Sequence, residues 1–213
     1  AHTKPREAYN KEEVERMMEG LPDNKIGWSI RLMLFTGMRP GELLGLETRH
    51  IAKDGSWINI EQAAVKVKGT TRIGPPKTEE SYRTIPVPEL VRYCARNLRN
   101  TDKKFIWESP KKPGFPCNDS YFRSLYKKAV ARLDDVRILT PYSCRHTCIS
   151  HLIALGVDPI TIISITGHVN TDMIKEVYGH PMEYARQNAI KRLDEAFSNR
   201  QGDTQSRVLQ FVK

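Results

Sequence analysis

The amino-acid sequence predicts an α+β fold, mainly helical with a small three-stranded antiparallel sheet. Three observations lead there. Apolar residues recur at helical spacing through most of the 213-residue chain, within stretches bounded by capping residues; a single block from Trp57 to Val87 alternates like strands instead; and a hydrophobic content of 39% suffices for one core. The expected organisation is a compact domain over residues 1–180 followed by a C-terminal tail over 181–213.

Asn10 is placed to cap a first helix, "KEEVERMMEG", in which Val14, Met17 and Met18 form one apolar stripe ending at Gly20. The next segment, "KIGWSIRLMLFTG", is apolar around most of its circumference, which predicts a helix surrounded by neighbours and stopped by Gly37. Pro40 opens "PGELLGL", so Arg39 is held at a tight junction between two helices. Strands are expected at "WINI", "AVKVKG" and "PPKTEESYRTIPV", the last folding as a hairpin about the polar "EES". Helices are expected at 88–100 and 118–133, separated by "ESPKKPGFPCN", whose prolines and glycine argue for irregular backbone. Thr140 and Pro141 open a helix running to Leu155 and ending at Gly156. Asp158, Pro159 and Gly167 then frame another, delivering His168 just past its end. A short helix capped by Asn170 or Thr171 carries "DMIKEVY". From Met182 to Phe197 an amphipathic helix presents Tyr184, Ile190, Leu193 and Phe197, and "RVLQFVK" alternates like an edge strand.

Lys and Arg number 34 against 25 Asp and Glu, a net charge of +9 that directs attention to polyanionic partners. The cysteines, Cys94, Cys117, Cys144 and Cys148, form no CxxC pair and are expected as reduced thiols. In "CRHTC" His146 points away from the face shared by Cys144 and Cys148, and no fourth ligand is spaced nearby, so no metal or other cofactor is expected. No run of 18 apolar residues occurs and "AHTKPREAYN" is polar, so neither a membrane span nor a signal peptide is expected. One charge is out of place. Arg145 sits beside Cys144, Cys148, Ile149 and Leu152, on the side of its helix that should be buried, and a buried cation needs a partner that offsets its desolvation.

Five fragments stand in order between about Asn10 and Pro181: "TGMRPGELLGL", a lysine in a β-hairpin, "TPYSCRHT", "TGH" and "VYGHP". Taken singly, each has a plain structural reading: a helix-junction arginine with a first-turn acid, a surface lysine, a histidine at a helix end, a half-buried tyrosine. Together, in this order, they resemble the catalytic domain of the tyrosine recombinases, the phage and transposon integrase family. The resemblance implies that family's catalytic fold, with Arg39 and Arg145 as phosphate clamps, Glu42 as the acid supporting them, His168 as a further phosphate ligand and Tyr178 as the nucleophile. Lys77 in "PPKTEES" matches the hairpin lysine and is the candidate general acid, with Lys66 and Lys68 on the preceding strand as alternatives. The family's common histidine three residues before the second arginine is Tyr142 here. Its hydroxyl could touch a phosphate oxygen but could not act as a base near neutral pH.

The expected activity is therefore that of a site-specific DNA recombinase, the integrase or excisionase of a bacterial mobile element. It would cut and rejoin double-stranded DNA through a 3'-phosphotyrosyl intermediate, without metal, cofactor or ATP. The expected setting is the cytoplasm, nucleoid-associated when DNA-bound. The expected assembly is a homotetramer on two duplexes with exchanged C-terminal segments, DNA-bending accessory proteins being further partners. Packing of the tail in cis is the alternative to exchange. The amino-terminal DNA-binding domains usual in such integrases are expected to lie outside this chain. Two other functions fit the same residues: a relaxing enzyme of the type IB topoisomerase kind, and a noncatalytic DNA-binding module of the same fold.

Overall fold

The structure is a computed structural model, and the residues described are 7–67, 69–76, 81–167, 190, 191 and 195. The chain divides into two units, Ala1–Val169 and Asn170–Lys213. The named helices and strands all belong to the first; in the second, residues 190, 191 and 195 are helical. The short helix expected after Asn170 and the final strand lie outside the described residues, as does most of the expected tail helix.

Helix α1 (Lys11–Gly20) starts where predicted, because Asn10 accepts the Glu13 amide while the Glu13 carboxylate accepts the Asn10 amide. Helix α2 (Lys25–Thr36) is the central element. Ile30, Leu32 and Met33 are fully buried, and later helices pack around it, as an apolar circumference requires. Buried Arg31 closes the α1–α2 turn by donating to the carbonyls of Met18, Leu21 and Pro22. Gly37 ends α2 in the left-handed region (φ 62°), returning its amide to the Met33 carbonyl, and α3 (Pro40–Gly45) follows at once.

Antiparallel pairing is present, but the expected three-stranded sheet is divided. β1 (Trp57–Ile60) pairs with β4 (Arg83–Pro86), and β2 (Ala63–Val67) pairs with β3 (Thr70–Gly74). Burial explains the division. Ile58, Ile60 and Ile85 face the core, so β1 and β4 meet there, while Gly69 (φ 82°) turns the chain so that β2 and β3, which contain no fully buried residue, form a separate ribbon. The turn expected at "EES" falls largely outside the described residues.

Helix α4 (Glu89–Arg99) buries Val91, Cys94, Ala95 and Leu98. The stretch read as irregular contains a third hairpin, β5 (Glu108–Ser109) with β6 (Lys112–Pro116). Its prolines are tolerated because a two-stranded ribbon consists only of edges, where a missing N–H can face solvent. Helix α5 (Asp119–Val130) is capped by Asn118. Helix α6 (Pro141–Ala154) has Thr140 at its N-cap position, but the hydroxyl makes no capping bond. Helix α7 (Pro159–Thr166) is capped by Asp158 and ended by left-handed Gly167 (φ 66°). All four cysteines are buried free thiols. Among the described residues no helix is long and apolar enough to cross a membrane.

Candidate functional site

The α2–α3 junction, helix α6 and the end of α7 meet around three guanidinium groups and one carboxylate. Arg39 occupies the N-cap position of α3 in an extended conformation. Glu42, one turn on, accepts its amide (2.8 Å) and its Nη1 (2.7 Å), which fixes the arginine side chain over the helix start. The other end of that guanidinium, Nη2, donates to the Gly167 carbonyl (2.6 Å).

Arg145 enters from α6 and is 2% exposed, one of the largest fully buried side chains. Its Nη1 donates to the carbonyls of Gly37 (2.7 Å) and Thr166 (2.6 Å). Its Nη2 is buried with no hydrogen-bond partner among the described residues. The two arginines therefore hold consecutive carbonyls, 166 and 167, at the C-terminal end of α7. Burial, then repulsion from Arg39, pushes the Arg145 guanidinium down to about 9, so it remains protonated at neutral pH. Beneath it, burial pushes the Cys148 thiol up to about 12, which keeps that sulfur neutral and part of an apolar floor.

Arg83, at the start of β4, is the residue sequence reasoning missed. Its fork grips both oxygens of Glu42, Nη2 to Oε2 at 2.8 Å and Nη1 to Oε1 at 3.1 Å. A usable signal existed: strand alternation places Arg83 on the face of Ile85, which is buried. Burial alone would raise the Glu42 carboxyl, yet the bonds and charge of Arg83, then of Arg39, hold it below the usual carboxylate range. Glu42 makes its hydrogen bonds to Arg39 and Arg83, while Arg145 is hydrogen-bonded to carbonyls and feels Glu42 through charge alone. Among the described residues, three guanidiniums against one carboxylate leave a formal surplus of two positive charges in a largely buried cluster.

Of the sequence-predicted residues, Arg39, Glu42 and Arg145 are brought together. Tyr142 lies one turn before Arg145 on α6, is 41% exposed, and its phenol is near enough to Arg145 to interact electrostatically. Lys77, His168 and Tyr178 lie outside the described residues. Chemically, the cluster is a ready anion seat. It offers a buried Nη2 with no partner among the described residues, a partly exposed second guanidinium, and surplus charge that an anion would neutralise.

The model of the phage integrase family matches residues 8–184. A tyrosine recombinase XerC-like protein of Caldanaerobacter subterraneus subsp. tengcongensis is 25% identical over 216 residues, covering 90% of this chain and 54% of that protein. The transposase from transposon Tn916 of Enterococcus faecalis is 25% identical over 185 residues, covering 78% and 44%. The ICEBs1 integrase of Bacillus subtilis is 22% identical over 202 residues, covering 88% and 54%. The chain spans about half the length of these curated relatives. Among solved structures, the Tn1549 transposon integrase in complex with circular intermediate DNA superposes with a TM-score of 0.74 at 22% identity, covering 90% of this chain and 68% of that one. XerA recombinase superposes at 0.61 and 19%, covering 90% and 65%. At these identities the superpositions establish the fold: a tyrosine recombinase catalytic domain, mainly helical with small antiparallel sheets.

Proposed function

Because this chain belongs to the phage integrase family, we propose that it carries the catalytic centre of a site-specific DNA recombinase, the integrase of a mobile element. The observation that supports this most is the Nη2 of Arg145, which has no partner among the described residues and is buried beside Arg39 in a cluster with surplus positive charge. A DNA phosphodiester supplies what that cluster lacks: negative charge and nonbridging oxygens that accept from two guanidinium forks.

Cleavage without a metal needs a nucleophile, charge stabilisation and a proton for the leaving oxygen. Arg39 and Arg145 stabilise the charge developing on the nonbridging oxygens, and the Tyr142 hydroxyl contacts one of them. In this proposal His168 adds a further donor. Tyr178 attacks phosphorus, its phenol proton passing to solvent water as the new ester forms, and the 5' oxygen departs carrying a proton from Lys77. The 3'-phosphotyrosyl ester conserves the bond energy, so a 5' hydroxyl from a second strand reverses the step and joins new partners.

The protein would act on double-stranded recombination sites as a homotetramer with exchanged C-terminal segments, in the cytoplasm, with DNA-bending proteins assisting. The test is trapping on nicked duplexes carrying the ends of the element that encodes the chain. The wild-type chain should form a covalent adduct and Tyr178→Phe none, with DNA affinity nearly unchanged. Adducts that persist in Tyr178→Phe would remove that residue from its role. Efficient relaxation of a supercoiled plasmid lacking those ends would favour the topoisomerase reading. Binding without any adduct would favour the noncatalytic one.

A further inference from the structure

We infer that Arg83 is a positioning residue for this site: it locks Glu42 and the end of α7 in the one arrangement in which Arg39 and Arg145 present donors to the same anion. The role rests on the recombinase reading above and concerns a residue that touches no substrate.

The bonding of Arg83 carries the inference. Its side chain is 5% exposed. Beyond the fork to Glu42, Nε donates to the Ile165 carbonyl (2.7 Å) and Nη1 to the Ser81 carbonyl (3.0 Å). Each of its three nitrogens is thus engaged within the protein, which leaves little capacity to bind a phosphate directly. What those bonds join is the informative part. Glu42 orients Arg39, and Ile165 immediately precedes the two residues whose carbonyls hold Arg145 and Arg39. One guanidinium therefore braces both supports of the anion seat from a third element, β4.

Two further features fit a brace. A Cβ placed on Gly167 would lie 2.8 Å from Arg83 Nη1 and 3.1 Å from Cζ, so a side chain at 167 would displace the guanidinium. Lysine at 83 could not replace the fork either, since a single ammonium cannot span both carboxylate oxygens and also reach the Ile165 carbonyl in the same geometry. Among the described residues, Arg39 and Arg83 act on Glu42, and both also act on Arg145. Removing Arg83 frees the carboxylate to rotate toward Arg39, while phosphate contacts elsewhere dominate affinity, so the loss would appear in orientation more than in attraction for DNA.

The experiment compares wild type, Arg83→Met, Arg83→Lys, Glu42→Gln and the Arg83→Met/Glu42→Gln double variant. It measures single-turnover cleavage of the nicked element-end duplexes at saturating protein, duplex affinity by anisotropy, and thermal melting. Arg83→Met should cleave about 10- to 100-fold more slowly, by analogy with removal of the outer partner that orients a metal ligand. Its duplex Kd should stay within about threefold, because phosphate contacts elsewhere dominate affinity. Arg83→Lys should recover part of the rate, and the double variant should be no slower than the slower single variant. If Arg83→Met does not fold, Arg83→Lys decides: slowed cleavage with unchanged affinity supports the role, and wild-type cleavage overturns it. The role is also overturned by wild-type cleavage in Arg83→Met, by equal losses in rate and affinity, or by effects that multiply in the double variant. A wild-type chain that forms no adduct overturns the recombinase reading, and this role with it.

Discussion

Replacing Glu42 with alanine tests the electrostatic construction of the site without any DNA. The carboxylate is 2% exposed and accepts four hydrogen bonds, two from Arg39 and two from Arg83. Removing one member of a buried ion pair costs about 3–5 kcal/mol, chiefly because the remaining charge stays buried and unpaired. The two halves do not weigh equally. The Arg39 side chain is 27% exposed and can turn toward water, whereas that of Arg83 is 5% exposed and cannot. The lower end of the range is therefore appropriate, about 3 kcal/mol, and for a chain of this size that corresponds to a fall in Tm of roughly 6–12 °C. Urea unfolding followed by far-ultraviolet circular dichroism reads the difference directly. A loss under about 1 kcal/mol, the size typical of an exposed pair, would refute the claim that Glu42 neutralises a buried cation cluster.

Arg145→Lys keeps the charge but loses the guanidinium fork; it should fold and cleave element-end duplexes about 100- to 1000-fold more slowly, the cost of deleting one donor to developing charge, as single-turnover adduct formation would show. Gly37→Ala forces an L side chain into φ 62°, with its Cβ 3.0 Å from Thr166 Cγ2 and 3.3 Å from Cys148 Sγ. It should destabilise the chain by at least about 1–2 kcal/mol in urea unfolding. Hydrogen bonds from Arg137 hold the Glu13 carboxyl down at about 2 against an ordinary value of 4.5. A carboxyl depressed by folding contributes stability that is present above its unfolded value and is lost as pH falls through the window from 4.5 to about 2. Arg137→Gln should therefore flatten that acid limb in a series of urea titrations.

Much of the fold was legible because local signals decided it. Asn10, Gly37, Pro40, Asp158 and Gly167 mark helix boundaries through backbone chemistry that tertiary context did not override. Sheet pairing was less legible, since which strands meet depends on which faces the core covers, and β1 finds β4 across the intervening β2–β3 ribbon. The hairpin at Glu108–Pro116 escaped notice because proline argues against strands only where both edges are paired. At the site, Arg39, Glu42 and Arg145 were recoverable from motif order. Their actual partners were not: the carbonyls of Gly37, Thr166 and Gly167 have no sequence signature, and Arg83, although strand alternation puts it on the face of Ile85, lies in none of the five motif fragments.

The most direct test is a crystal structure of the Tyr178→Phe chain bound to an uncut element-end duplex. A single phosphodiester should accept hydrogen bonds from Arg145 Nη2 and from Arg39, with nitrogen–oxygen distances of roughly 2.7–3.2 Å. A duplex whose phosphates all stay beyond about 4 Å from the Arg145 nitrogen would contradict the anion seat.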